Sequence, residues 1–440
     1  MIRIGSGAGF SGDRVEPAVL LAEHAKLDYL VLECLAERTI ALAQKRKRQD
    51  PAAGYDPLLE KRIERLLPVI KKNGVRLVTN MGAANPIAAA EKIVEIARKQ
   101  GHSIKVAAVT GDDVLDLLDP QQLTLESGEP LASYGELISA NAYIGVDALL
   151  PALETCADVI VAGRVADPSL FLAPMIHHYG WSPDDADRLA QGTVIGHLLE
   201  CAGQITGGYF ADPGKKDIPN LAQLGFPYAD VAEDGTAVIS KLEGTGGVIH
   251  LGTVKEQLLY EVTNPAAYLT PDITADFTEV RLRELGPSQV QVAGGKGRVR
   301  PSCLKVSVGY HAGYIGEGEI SYAGTNARAR AELAGEIICE RLKSASFSDI
   351  RIDYIGSNST HRTSFGDFDQ PYEIRLRVAA KTPSKELAAM VGEEVEALYT
   401  NGPAGGGGAR KYVHEVVGIV SVLIPRESVR PQVTIRGCLA

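Results

Sequence analysis

Five short apolar runs, separated by segments of helix length, dominate the first half of this chain and limit what it can fold into. The runs are Ile2–Ile4, Tyr29–Glu33, Arg76–Asn80, Lys105–Thr110 and Asp158–Ala162. Between them Glu16–Lys26, Ala36–Arg48, Pro57–Lys72 and Pro86–Lys99 read as helices. Strand, helix and strand in succession predict parallel pairing through right-handed crossovers. The expected fold class is therefore α/β, a parallel sheet with flanking helices, either doubly wound or closed as a barrel. Runs such as KVAAV and DVIVA, apolar at almost every position, fit a sheet covered on both faces.

Each run ends in unusual residues: GSGAG, ECLAERT, NMGAANP, TGDD and GRVADPS. Ligands of parallel α/β proteins sit outside the C-terminal ends of the strands. The glycines can be explained by turns alone. Asn80, Asp112, Asp113 and Arg164 beside them cannot, and they are candidate site residues.

A stretch of 440 residues calls for more than one core. The expected division is an α/β domain over 1–295, with a helical insertion near 180–210, and a second domain over 296–440. The insertion is predicted to start at Ser182-Pro183. In the second part, candidate strands at Cys303–Tyr310, Tyr314–Tyr322, Ile350–Tyr354, Tyr372–Ala380 and within Tyr412–Ile424 surround helices at Asn326–Lys343 and Ser384–Tyr399. That succession predicts an α+β sandwich of ferredoxin-like type.

A net charge of −10 argues against a nucleic-acid or anionic-membrane partner. The basic run Lys45–Arg48 ends a predicted helix, where cations complement the dipole. Six scattered cysteines without a CxxC pair suggest neither a disulfide framework nor a zinc ribbon. No leader is legible, and no apolar stretch approaches the ~20 residues that span a bilayer. A cytoplasmic protein is expected.

The segment GTVIGHLLECAGQITGGYF, Gly192–Phe210, concentrates the chemistry. As a helix it aligns His197, Glu200, Cys201 and Gln204 along one stripe, with apolar residues elsewhere. A buried helix with such a stripe requires a polar network or a ligand opposite it. His197 with Glu200 fits an acid/base pair, or a satisfied core histidine. Cys201 reads as a small buried side chain rather than a nucleophile.

Asp112 and Asp113 suggest one capping aspartate and one facing the crevice. GSGAGFSG followed by Glu33 imitates a dinucleotide fingerprint, but Phe10 stands where its third glycine belongs. Backbone amides near Gly7 and Gly9 are better suited to an anion. Lys241, near Gly246 in the GTGG turn, could hold a carboxylate or phosphate, or could be a solvated hairpin lysine. No second ligand set has metal spacing, so neither a metal nor a redox cofactor is expected.

The runs RIGSGAGFSGDR, LDYLVLECLAERT, NMGAANP, GDD, NAYIG, GRVADPS and GHLLECAGQITGGYFADPG together resemble the acyclic terpene utilisation (AtuA) family. KLEGTGG, QLLYEVTNP and GPAGGGG extend the resemblance over nearly the whole chain. It implies catabolism of branched acids as coenzyme A thioesters. Some members carry an extra small C-terminal domain, and a separate small partner subunit is expected here. The resemblance transfers no catalytic residue.

The resulting expectation is a lyase/hydratase or isomerase acting on a branched carboxylate or its thioester. His197, Glu200 and Asp112 would move protons. Gly7, Gly9, Glu33, Asn80, Asp113, Arg164, Gln204, Lys241 and Gly246 would bind substrate. A nicotinamide oxidoreductase and a non-catalytic coenzyme A-binding subunit are the alternatives. A homo-oligomer is expected.

Overall fold

The computed structural model describes residues 1–343, 347, 349–362 and 371–438. It divides into two compact units, one of Met1–Ala132, Ile138–Gly309 and Ile419–Ala440, the other of Ser133–Leu137 and Tyr310–Gly418. The expected cut at 295/296 does not coincide with this division. The first unit continues to Gly309 and takes back the last stretch of chain.

The first unit opens with β1 (Ile2–Ala8), α1 (Glu16–His24), β2 (Tyr29–Leu32), α2 (Glu37–Gln49), α3 (Leu59–Asn73), β3 (Arg76–Thr79), α4 (Pro86–Lys99) and β4 (Ile104–Thr110). Then come β5 (Leu137–Ala142), α5 (Val146–Glu154), β6 (Val159–Ala162), α6 (Asp167–Tyr179), α7 (Ala186–Glu200), β7 (Pro227–Val231), β8 (Ala237–Lys241) and α8 (Leu251–Leu259). Short strands complete it: β9 (Tyr268–Leu269), β10 (Thr274–Asp276), β11 (Arg281–Gly286), β12 (Gln289–Ala293) and β13 (Lys296–Arg298).

The second unit carries β14 (Cys303–Ala323, entering from the first unit), α9 (Ala327–Leu342), β15 (Asp349–Ile355), β16 (Glu373–Thr382), α10 (Lys385–Asn401) and β17 (Gly407–Pro425). Its strands lie in the order β15-β16-β14-β17. Ile320, Tyr322, Leu376 and Val378 from the sheet share one core with Ala331 and Ile338 of α9 and Val391 and Val395 of α10. The two strands expected at 303–322 are one continuous strand.

The last strand, β18 (Gln432–Cys438), pairs antiparallel with β4 and closes one edge of the first unit's sheet. That sheet runs β11-β12-β8-β7-β1-β2-β3-β6-β4-β18. Its centre, β1-β2-β3-β6-β4, is parallel, and both flanks are antiparallel. The mixed α/β architecture has ten α-helices among the described residues. The sheet is open, with β11 and β18 at its ends, so the barrel alternative is corrected.

Period-two alternation divides the parallel strands between two faces. Leu30, Leu32, Leu77, Val106, Val159 and Val161 pack against Leu21 of α1, Ile63 and Leu66 of α3 and Ile93 of α4. Ile4, Val31, Val78 and Ile160 are equally buried on the opposite face. The helix ends follow local chemistry. Asn85 caps α4 by accepting from the Ala88 amide, with Pro86 in the first turn. Asp185, not Ser182, caps α7.

Candidate active site

The mouths of the parallel strands gather a buried polar cluster. Glu33, directly after β2, accepts through Oε1 from the Leu35 amide (2.8 Å) and from Asn80 Nδ2 (2.9 Å). Asn80, directly after β3, accepts in turn from the Cys34 amide (2.8 Å). Asp112, after β4, accepts through Oδ2 from Asn141 Nδ2 (2.9 Å) and the Arg164 amide (2.8 Å). These residues do meet, but they are consumed in joining one strand mouth to the next. Burial pushes Asp112 up to about 6, and pushes Glu33 well above the usual carboxylate range with help from the Asp167 charge.

Arg164 occupies the centre. Its guanidinium donates to the carbonyls of Leu35 and Val165 and to the Asp167 carboxylate, and lies 4.6 Å over the Tyr143 ring. It is 1% exposed, all three of its nitrogens donate to protein acceptors, and it is not in the lining of the cavity, so it organises the site rather than receiving a substrate anion. The expectation that Arg164 binds substrate directly is corrected on that ground.

Tyr143, Asp167 and Glu37 continue outward from Arg164. The Tyr143 hydroxyl donates to Glu37 Oε1 (2.5 Å), and Lys305 lies 3.6 Å from the same carboxylate oxygen. Lys305 Nζ is also 5.2 Å from the Tyr143 ring centroid. Glu37, Tyr143, Asp167, Tyr268 and Lys305 line a cavity of ≈ 640 Å³ whose other walls include Leu125, Pro168, Leu269, Leu304 and Leu423. Apolar walls with a few convergent polar groups are what a small-molecule site requires. Lys305 is the cation in that lining.

The predicted helix through 192–210 ends earlier than expected. Regular α7 stops at Glu200, and Ala202 takes φ +42° before a short 3₁₀ turn over Ala202–Gln204. The stripe is therefore broken. His197 and Glu200 stay together, their Nδ1 and Oε1 atoms 2.8 Å apart, whereas Cys201 and Gln204 line a different cavity.

His197 is 1% exposed and its ring packs 5.3 Å from Tyr268 and 5.5 Å from Phe277, centroid to centroid. It does not open into a cleft, which corrects its expected direct role. Burial opposes a charged ring, but Glu200 outweighs it and holds the imidazole above its ordinary value. The Gln257 and Leu258 carbonyls add to this effect, although neither meets Nε2 in hydrogen-bond geometry.

Glu200 is the outer member of the pair. Its Oε2 has no hydrogen-bond partner among the described residues. Burial pushes its carboxyl up to about 7 against the pull of His197, and the Asp167 and Glu261 charges push the same way. Asp167 is itself raised, by burial first, against Arg164. Glu200 and Asp167 thus belong to one electrostatic unit, and Asp167 lies in the wall of the larger cavity.

Several expected binding residues serve the fold instead. A Cβ on Gly7 would stand 2.5 Å from Leu32 Cδ2, because β1 runs through the glycines as a strand. A phosphate-cradling fingerprint loop is therefore absent there. The Gly9 amide is taken by Asp13 Oδ2 (3.0 Å). Lys241 Nζ donates to Thr245 O (2.8 Å) and Oγ1 (3.1 Å) within its own turn. A Cβ on Gly246 would meet Asn220 O at 2.0 Å, a packing constraint.

Asp113 accepts from Gln44 Nε2 (2.9 Å) and faces a smaller cavity with Lys47 and Arg48. Asp112, the other member of that pair, is sealed inside rather than facing a crevice. Among the described residues no group of three or more His, Cys, Asp or Glu side chains could hold a metal ion. Tyr143, Glu37, Asp167, Tyr268 and Lys305 were missed by sequence reasoning. For Asp167 a signal existed, since it stands three residues after Arg164.

An open, mixed α/β sheet with a parallel centre, an apolar cavity and a buried acid cluster after its central strands is a setting in which small-molecule sites are found. The chain belongs to the acyclic terpene utilisation family AtuA, whose family model matches residues 2–435. That membership supports a catabolic role. No curated protein matches the chain. Among the described residues no helix is long and apolar enough to cross a membrane.

Proposed function

We propose that this chain is an acid/base enzyme, a lyase/hydratase or isomerase, acting on a branched carboxylate or its coenzyme A thioester. One observation carries the reading: Glu200 leaves a buried carboxylate oxygen unpartnered, its carboxyl is raised to about 7, and it feels the charge of Asp167, which lines the larger cavity.

In the dehydrating direction the substrate Cα–H bond breaks and its proton passes to Glu200. The Cβ–O bond breaks, and the departing hydroxyl takes a proton from Asp167, which burial keeps protonated to higher pH than usual. With substrate bound, Tyr143 turns its hydroxyl from Glu37 to the developing enolate oxygen. Lys305 holds the anionic end in place of Arg164 and Lys241. His197 is a positioning residue behind Glu200, and Asp112 is one beneath Arg164.

The reading extends to architecture and setting. We take the first unit as doubly wound, from the apolar residues on both faces of its parallel strands. We take the second as ferredoxin-like, from its βαββαβ order. We carry forward a cytoplasmic homo-oligomer from the sequence reading and a small partner chain from the resemblance alone, and co-purification would test the partner.

The chemistry is tested by incubating the protein in D₂O with branched 3-hydroxy and 2,3-unsaturated acids and their coenzyme A thioesters. Deuterium should enter at the α-carbon, and Glu200→Gln should slow its entry at least 100-fold. No incorporation across the panel sinks the reaction class. Incorporation at the wild-type rate in Glu200→Gln sinks the role of Glu200.

A further inference from the structure

The cavity reached from Cys201 has a different chemistry. It measures ≈ 350 Å³ and is lined by Gly9, Phe10, Arg14, Gln204, Tyr209 and Tyr260, among others. Phe10 is 59% and Tyr209 87% exposed. Large rings left in water at a cavity rim gain burial only when something covers them. The Tyr209 and Tyr260 centroids are 6.4 Å apart with ring planes at 77°, so the two form a corner rather than a stack. A flat guest can lie on one ring and meet the edge of the other.

The backbone around this cavity is held in an unusual state. Tyr209 has φ +64°, and Ala202, Asn220 and Glu261, each next in chain to a lining residue, have φ of +42°, +49° and +58°. Left-handed conformations at non-glycine residues persist only where the surroundings impose them, and they gather at ligand sites.

Charge is present too. Arg14 is exposed, and its guanidinium donates one hydrogen bond, to Ala222 O at 3.1 Å. Among the described residues it makes no ion pair. The neighbouring Asp13 carboxylate accepts from the Gly9 (3.0 Å) and Arg14 (2.8 Å) amides, which spreads its charge into the backbone.

We propose that this cavity is a second binding site, for a planar aromatic ring carrying an anionic substituent, with the ring in the corner of Tyr209 and Tyr260 and the anion on Arg14. Cys201, the residue after Glu200, is among its lining residues. Binding here does not depend on the chemistry assigned to Glu200.

Calorimetric titration of the full chain tests this. The probes are adenosine 5′-monophosphate and 1-naphthoate, which separate a nucleotide from an aryl acid, with adenosine and ribose 5-phosphate as partial ligands. Saturable binding of either full probe is expected, weakened at least fivefold in Tyr209→Ala and in Arg14→Met. Both positions are exposed, and an unchanged thermal melt will confirm that the variants fold. The site is overturned if neither full probe binds, or if binding survives either substitution. For the nucleotide, adenosine binding as tightly as its monophosphate overturns the anion contact, and ribose 5-phosphate doing so overturns the ring contact.

Discussion

His197 Nδ1 lies 2.8 Å from Glu200 Oε1, one turn apart on the last stretch of α7, and the imidazole is sealed at 1% exposure while the Glu200 side chain is 12% exposed with its Oε2 buried. The pair therefore works as a held carboxyl rather than a free imidazole. Glu200 raises the His197 value against burial. Replacing it by Gln removes the raising charge and leaves desolvation, so the imidazole value should fall below that of the wild type. Titration of the ring by NMR checks this, and an unmoved value would mean that the two groups are not coupled.

Asp112 predicts a pH dependence of stability. Its carboxyl is raised from 3.8 to about 6, chiefly by burial. For an acid raised on folding, the stabilising contribution is complete below the unfolded value and is lost as pH rises through the folded one. Wild-type stability should therefore drop between pH 4 and pH 7 by up to roughly 3 kcal/mol from this group. Asp112→Asn keeps an acceptor for the Arg164 amide and should flatten that part of the profile. Urea unfolding at several pH values measures it.

Arg164 predicts an asymmetry between substitutions. Its donors hold Leu35, Val165 and Asp167 together, and its flat group rests on Tyr143. Arg164→Met leaves those acceptors unpaired and should cost about 3–5 kcal/mol. Arg164→Lys retains the charge but not the planar fork, and should recover less than half of that loss. Full recovery in the lysine variant would reduce the role of Arg164 to simple charge.

Much of the sheet was legible in the sequence because period and apolarity act locally. Pro86–Lys99 forms a helix over the expected residues, and β2, β3, β4 and β6 fall within a residue of expectation. What escaped depends on distant partners. β18 is a seven-residue stretch that becomes a strand by pairing with β4. At the site, the cluster at the strand mouths was foreseen, but its internal assignments were not. Whether Arg164 faces substrate or protein depends on the Leu35 carbonyl, brought to it by the segments that follow β2 and β6, two strands apart in the sheet. Tyr268 comes from a stretch that looked like loop, and Lys305 from a strand assigned to the other domain. Glycines misled as well, since Gly7 looks the same whether a loop or a packed strand requires it.

Gly9 provides the last test, because what its missing side chain would meet is backbone. A Cβ there would stand 2.6 Å from the Cys201 carbonyl carbon and 2.8 Å from its Cα and oxygen. None of these can swing aside as a flexible side chain would, so Gly9→Ala must move the end of α7 or the end of β1. Overpacking of this kind costs about 1–3 kcal/mol. Gly286 in β11 is the control, since a Cβ there meets only the Gln289 side chain, at 3.8 Å. Gly286→Ala should leave stability within about 1 kcal/mol of wild type, with a gain as plausible in sign as a loss, because alanine restricts the unfolded chain. Gly9→Ala should also disturb Glu200 next to the displaced cap, so its carboxyl should no longer titrate near 7. Chemical denaturation and carboxyl ¹³C NMR of the two variants settle the matter. If Gly9→Ala is as mild as Gly286→Ala, the contact between β1 and α7 is not as tight as described.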